Sequence, residues 1–178
     1  LKINVLIDPM YVADPFLNKI SQFIKQNKQY DINIYRNSLN KSEILAQKEY
    51  DLIVSPYYIK SLQPIVLESI TTTLVSHPDS PLQKLQDEEL LQELQRHSCI
   101  SLSPDSPDTD NQAQVIQVGS VETAISLIQH GLGYARLPLI FIQDELNKKT
   151  IKQLITHKKE KEYKFYLYLN KNSFINEN

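Results

Sequence analysis

The sequence predicts an α/β chain whose first third builds a parallel sheet. Three observations carry this. Apolar, β-rich runs alternate with helix-patterned segments from Leu1 to Val54. The two helix-patterned segments open on capping signals, Asp14-Pro15 and Asn40 with Glu43. The run VGSVETAISLIQHGLGYARLP, Val118 to Pro138, reads as strand end, capped helix, glycine stop, short strand and proline.

The elements follow in order. LKINVLI, Leu1 to Ile7, is a central strand, and Asp8-Pro9 breaks it. A helix from Asp14 to Asn27 carries Phe16, Ile20, Phe23 and Ile24 as its expected buried stripe. Ile32 and Ile34 mark a second strand, Ile44 and Leu45 a short helix, and Asp51 to Val54 a third strand. That β-α-β-α-β order implies right-handed parallel crossovers.

The middle changes character. PIVLESITTTLVS, Pro64 to Ser76, is strand-rich, with its threonines expected on one face. HPDSPL is a turn. Asp87 to Arg96 reads as a helix with Leu90, Leu91 and Leu94 on its apolar face, and Cys99 to Leu102 as a strand. SPDSPDTDNQ, Ser103 to Gln112, is a polar loop. Val115 to Val118 is a strand.

In the next helix Ser120 is the N-cap, Glu122 suits the helix dipole, and Val121, Ala124, Ile125 and Ile128 form the stripe. Gly131 sits where a C′ residue of positive φ is expected. Gly133 to Leu137 is a short strand that Pro138 ends, and a helix runs from near Pro138 to Leu146. His157 to Glu162 is an exposed polar turn, and YKFYLYL, Tyr163 to Leu169, is one strand.

Composition narrows function. A length of 178 residues suits one domain or two small lobes. A net charge of −2 gives no polyanion-binding signature. Three glycines leave little room for a phosphate-cradling loop, and no cofactor is expected. The single Cys99 excludes an internal disulfide and fits a reducing compartment. No apolar run reaches membrane-spanning length and no signal peptide is seen. The chain opens on Leu1 and enters a strand at once, which reads as a fragment or processed chain with an upstream domain.

Rival chemistry finds little footing. Asp105, Asp108 and Asp110 cluster without the glycine and closing glutamate of a calcium loop, so no metal site is expected. His97 and Cys99 lack a second ligand pair. No serine sits in a nucleophile elbow.

Four strings, in order, resemble the effector-binding domain of LysR-type transcriptional regulators. They are EILAQKEYDLIV (Glu43 to Val54), TTTLVSHPDSPL (Thr71 to Leu82), the Val118 to Pro138 run and FYLYLNKN (Phe165 to Asn172). The resemblance implies a fold like the type 2 periplasmic binding proteins: two Rossmann-like lobes joined by crossing strands, with an effector between them. Lobe I would take residues 1–76 and 155–178, and lobe II residues 77–154. A winged helix-turn-helix DNA-binding domain would lie outside this chain.

The resemblance also implies a pocket. Asp8, Met10 and Tyr11 follow the first strand, although Asp8 would repel an anion. Asn37 and Ser38 follow the second strand, Ser55 the third, and Ser103 the first strand of lobe II. Gly119 and Ser120 stand at the lobe II helix start, where backbone N–H groups favour anions. Ser55 and Ser103 read equally well as turn hydroxyls, and Ser120 as a cap alone.

The chain also departs from the family. A helix is usual between Leu102 and Val115, Lys48 stands where glycine is common, and only a short tail follows Asn172. The implied partners are a small-molecule effector, organic anions among the candidates, and a homodimer, tetrameric in the full-length protein. In the dimer the Asp14 to Asn27 helix would meet the partner's Ser120 to His130 helix. No membrane partner is implied, DNA contact would come only through the missing domain, and the setting would be the bacterial cytoplasm. The alternative is a free-standing solute-binding protein of a transporter. An enzyme on the same fold ranks last for want of an acid–base or nucleophile constellation.

Overall fold

A computed structural model describes residues 1–170 except Ala13 and Pro104; Lys171, Asn172 and the tail beyond lie outside the described residues. The chain divides into two compact units, Leu1–Ile70 with the segment from Lys164, and Thr71–Tyr163.

In the first unit, β1 (Lys2–Ile7) is followed by α1 (Asp14–Gln26), β2 (Asp31–Arg36), α2 (Lys41–Ala46), β3 (Leu52–Ser55) and the two-residue β4 (Ile65–Val66). β1 pairs in parallel with both β2 and β3, as its apolar sequence requires of a central strand. The Asn40 side chain accepts from the Glu43 amide while Glu43 reaches back to the Asn40 amide, so the predicted capping box forms. Asp51 ties the sheet at its start, its Oδ2 accepting the Asn4 amide at 2.8 Å. Leu6, Ile44, Ile53, Ile59 and Tyr168 form the core on the α2 side.

The second unit contains β5 (Ile70–Ser76), α3 (Asp87–Leu94), β6 (Ser98–Ser101), β7 (Gln114–Gln117), α4 (Val121–Gln129), β8 (Tyr134–Pro138), α5 (Gln143–Asn147), β9 (Lys152–Gln153) and β10 (Glu160–Tyr163). β11 (Tyr166–Leu169) returns to the first unit. Among the described residues the first sheet runs β2-β1-β3-β11-β4. The second runs β10-β5-β8-β6-β7, with β9 also on β5. β6 pairs in parallel with β7 and β8, and β8 is antiparallel to β5. Leu74, Leu82, Leu90, Leu94, Cys99, Tyr134 and Leu154 make one core cluster of this unit. Val121, Ala124, Ile125 and Ile128 of α4 are buried, as the periodicity predicts.

Several expectations need correction. In α1 only Phe16 is buried, because only the first turn meets the aromatic cluster of Tyr11 and Phe165; Phe23 and Ile24 are exposed. Leu45 and Leu91 are also exposed. Thr72 and Thr73 are both fully buried, and adjacent strand residues point to opposite faces, so they share no face. They donate to the carbonyls of Lys161 and Lys159.

The YKFYLYL run is not one strand. Its first residue ends β10, and its last four, Tyr166–Leu169, form β11 in the other sheet. The break falls at Lys164-Phe165, where buried Phe165 accepts the Leu67 amide through its carbonyl. Glu160 to Glu162 belong to β10 instead of a turn. The helix expected from Pro138 is a 3-10 turn, Leu139–Phe141, then α5. The loop expected at Ser103 to Gln112 holds, among its described residues, a 3-10 turn, Pro107–Thr109, capped by Ser106.

Candidate functional site

In parallel sheets, ligand sites form at the carboxyl ends of strands, where loops meet helix starts. The first unit gathers most of its predicted residues there. Asp8 follows β1, and its amide donates to Val54 O of β3 at 3.0 Å. The Asn37 amide donates to Ile7 O, so the ends of β1, β2 and β3 are held side by side. Asp8 Oδ1 accepts the Met10 amide at 2.9 Å, and Asn37 Oδ1 accepts the Ser38 amide at 2.9 Å. Ser55 is buried, and its Oγ accepts the Tyr57 amide at 3.1 Å.

Tyr11 enters this cluster through its backbone. Its ring packs against Phe16 and Phe165, and its hydroxyl donates to Glu68 Oε2 at 2.6 Å. Burial and the Glu68 carboxylate together push the Tyr11 phenol well above its ordinary range.

The sequence reading missed Arg36. Its guanidinium donates to the carbonyls of Tyr11 at 2.8 Å and Asp8 at 3.3 Å, clamping the loop after β1. Its position as the residue immediately before Asn37-Ser38 was the available signal.

Asp8 is 2% exposed. Burial pushes its pKa up to about 6, against the opposing pull of the Met10 amide, the Ser38 hydroxyl and the Arg36 charge. A carboxyl whose folded pKa exceeds its unfolded value favours the folded state below the unfolded value. That contribution is lost as pH rises through the folded pKa, here from about 4 to about 6. Asp8→Asn is therefore expected to raise stability above pH 7, by up to about 3 kcal/mol from the size of the shift. The gain should shrink to nothing near pH 4. Thermal melts of both chains across that range check it, and a gain independent of pH would contradict it.

The second unit carries its own cluster. The Val118 amide donates to Ser101 O, joining the ends of β6 and β7. Ser101 Oγ donates to Ser103 O at 2.7 Å and accepts the Ser103 amide at 3.2 Å. Ser101 is the buried hydroxyl here, and sequence reasoning named only Ser103. Ser120 caps α4, its Oγ accepting the Thr123 amide at 3.1 Å. Gly119 is exposed, and a Cβ there would meet nothing within 4 Å. Its own fold therefore does not demand glycine.

Asp108, from the acidic run, grips Arg136 of β8 in a bidentate pair, Nε to Oδ2 at 2.8 Å and Nη2 to Oδ1 at 3.3 Å. Nearby, burial raises the Cys99 thiol pKa, which makes it a poor nucleophile at neutral pH. Among the described residues no group of three or more His, Cys, Asp or Glu is placed to hold a metal ion. No described helix is long and apolar enough to cross a membrane.

This two-sheet arrangement, with polar residues gathered at strand ends in each unit, invites comparison with known domains. The family model of the LysR substrate binding domain matches residues 2–177. The chain belongs to that family. The LysR substrate-binding domain has an α/β, type 2 periplasmic-binding-protein-like fold, and its solved neighbours agree. The regulatory domain of MetR, a LysR family regulator from Neisseria meningitidis, superposes with a TM-score of 0.72 at 16% identity, covering 99% of this chain and 87% of that one. The effector binding domain of QuiR, in complex with shikimate, gives 0.64 at 19%, covering 96% and 88%. The CcmR regulatory domain of Synechocystis, in complex with 2-PG, gives 0.65 at 14%, with coverages of 96% and 88%. Comparison with curated proteins finds no match. These neighbours are regulator domains, which favours the transcriptional reading over a transporter's solute-binding protein.

Proposed function

We propose that this LysR substrate-binding domain senses a small molecule through both strand-end clusters. Asp8, Met10, Asn37 and Ser38, with Ser55 and the Tyr11 backbone, serve from the first unit. Ser103, Gly119 and Ser120 serve from the second. The observation that carries the reading is the convergence of polar side chains and backbone groups at the carboxyl ends of β1, β2 and β3, and again at β6 and β7. Neighbouring domains of the same fold bind shikimate and 2-PG. Organic acids are thus the first effectors to try, with the half-site around Ser120 as the anion-favouring end and Asp8 limiting negative charge at the other. The domain regulates transcription in the bacterial cytoplasm, touches DNA only through a separate winged helix-turn-helix domain and carries out no chemistry.

Ser120→Ala removes a hydrogen-bonding hydroxyl and a cap, so effector affinity is expected to fall by roughly 1 kcal/mol, about fivefold. Calorimetry with a hit from a panel of small organic acids, amino acids and aromatics checks it. Unchanged affinity in a folded variant removes Ser120 from the site.

The domain also dimerises in this proposal, α1 of one copy against α4 of another, with tetramers in the full-length regulator. Phe23 and Ile24 of α1 and Ile34 of the edge strand β2 are exposed apolar side chains on the α1 side of the sheet, which supports an interface there. Ile24→Glu is expected to shift the chain to monomer in sedimentation velocity, with its melting temperature little changed. An unaltered dimer contradicts this interface.

A further inference from the structure

The first unit contains a cavity of about 380 Å³ on the α1 side of its sheet. Val5, Leu52 and Leu167 form part of the floor, and Ile20 and Phe23 of α1 part of the wall. Among the described residues the charged side chains lining it are Lys19 and Glu68. The failed burial of the α1 stripe explains the space: beyond Phe16 the helix does not close onto the sheet. None of the proposed effector residues lines this cavity.

We propose that this cavity is a second small-molecule site, taking a neutral one- or two-ring aromatic or alicyclic compound. Size is the first argument. A cavity of about 150 Å³ lined by aliphatic and aromatic side chains already holds benzene, and small-molecule sites begin at about 300 Å³. Charge is the second. The lining is almost wholly apolar, so a charged group drawn into it loses its hydration without compensation. Lys19 and Glu68 offset each other, leaving no net charge for an ionic ligand to pair with. Glu68 is moreover engaged by the Tyr11 hydroxyl, which with its other contacts holds its pKa below the ordinary value. Rigidity is the third. Val5 is buried on β1, between two parallel neighbours, and the Tyr11–Glu68 bond fixes one rim.

The test uses indole and toluene as neutral probes, with benzoate and benzylamine as charged counterparts. Binding is followed by NMR chemical-shift changes on the whole chain. Indole and toluene are expected to shift resonances of Val5, Ile20 and Leu167, while the charged probes bind at least about tenfold more weakly. Ile20→Trp, which fills the cavity from α1, should abolish the shifts. Ser120→Ala should leave them intact, which separates this site from the effector site. Three results overturn the proposal: no shifts with either neutral probe, equal binding of the charged probes, or shifts that survive Ile20→Trp in a folded chain. If Ile20→Trp instead splits a dimer and no probe binds the wild type, the cavity belongs to an interface and the proposal fails.

Discussion

Gly133→Ala is expected to be among the most damaging single-methyl additions to this domain. A Cβ at Gly133 would stand 1.9 Å from the carbonyl oxygen of Ser98 and 2.8 Å from its carbonyl carbon. Both are backbone atoms of β6, the neighbour with which Tyr134 and Ala135 of β8 pair. Neither strand can yield without losing its register. The residue also holds φ at +41°, a region that a side chain resists by about 1–2 kcal/mol. Overpacking adds about 1–3 kcal/mol. A total near 3–4 kcal/mol lowers the melting temperature by roughly 10 °C for a chain of this size. The other two glycines supply the internal scale. Gly131→Ala meets open space at φ +85° and should bear only the backbone cost, while Gly119→Ala meets neither obstacle and should be nearly silent. Thermal melts of the three variants are expected in that order. Equal melting temperatures would contradict the close approach of β8 to β6.

Asp108→Ala is the second. The pair with Arg136 is mostly sheltered, at 20% and 15% side-chain exposure. Exposed pairs contribute about 0.2–1 kcal/mol, whereas breaking a buried one costs about 3–5 kcal/mol because a charge is left unmatched. A loss near 2 kcal/mol lies between these limits, roughly 4–8 °C in melting temperature. The loop from Ser103 to Gln112 should become open to proteases, since this pair is its firmest tie to β8. Adding Arg136→Met should recover part of the loss by removing the unmatched charge. A double variant no more stable than Asp108→Ala would show that the pair's charge matching is not what the loop depends on.

Local signals in the sequence carried much of the fold. The Asn40–Glu43 box, the Ser120 cap and the positive φ of Gly131 each follow from a few neighbouring residues. Non-local features were harder to read. YKFYLYL has a strand's alternation throughout, and nothing inside it marks the passage between sheets at Lys164-Phe165. The α1 stripe has helical spacing whether or not a partner covers it, so Phe23 and Ile24 read as core. Within the candidate site, positions after strands located Asp8, Asn37, Ser38 and Ser55. The side chain that organises the loop holding Asp8, Arg36, acts across 25 residues, and in the second unit Arg136 grips Asp108 across 28, separations that sequence spacing does not encode. The strand pattern of Cys99 to Leu102 runs one residue past the end of β6, so it points to Ser103 where Ser101 is the buried hydroxyl.

The central claim is that one effector is met by both strand-end clusters. Its most direct test is calorimetric titration of the best hit from the small-molecule panel against the wild type, Ser38→Ala and Ser120→Ala, each verified as folded. Both substitutions are expected to weaken binding about fivefold or more, at one hydrogen bond's worth of affinity each. Affinity unchanged in both variants, or lowered by only one of them, would contradict an effector shared between the two units.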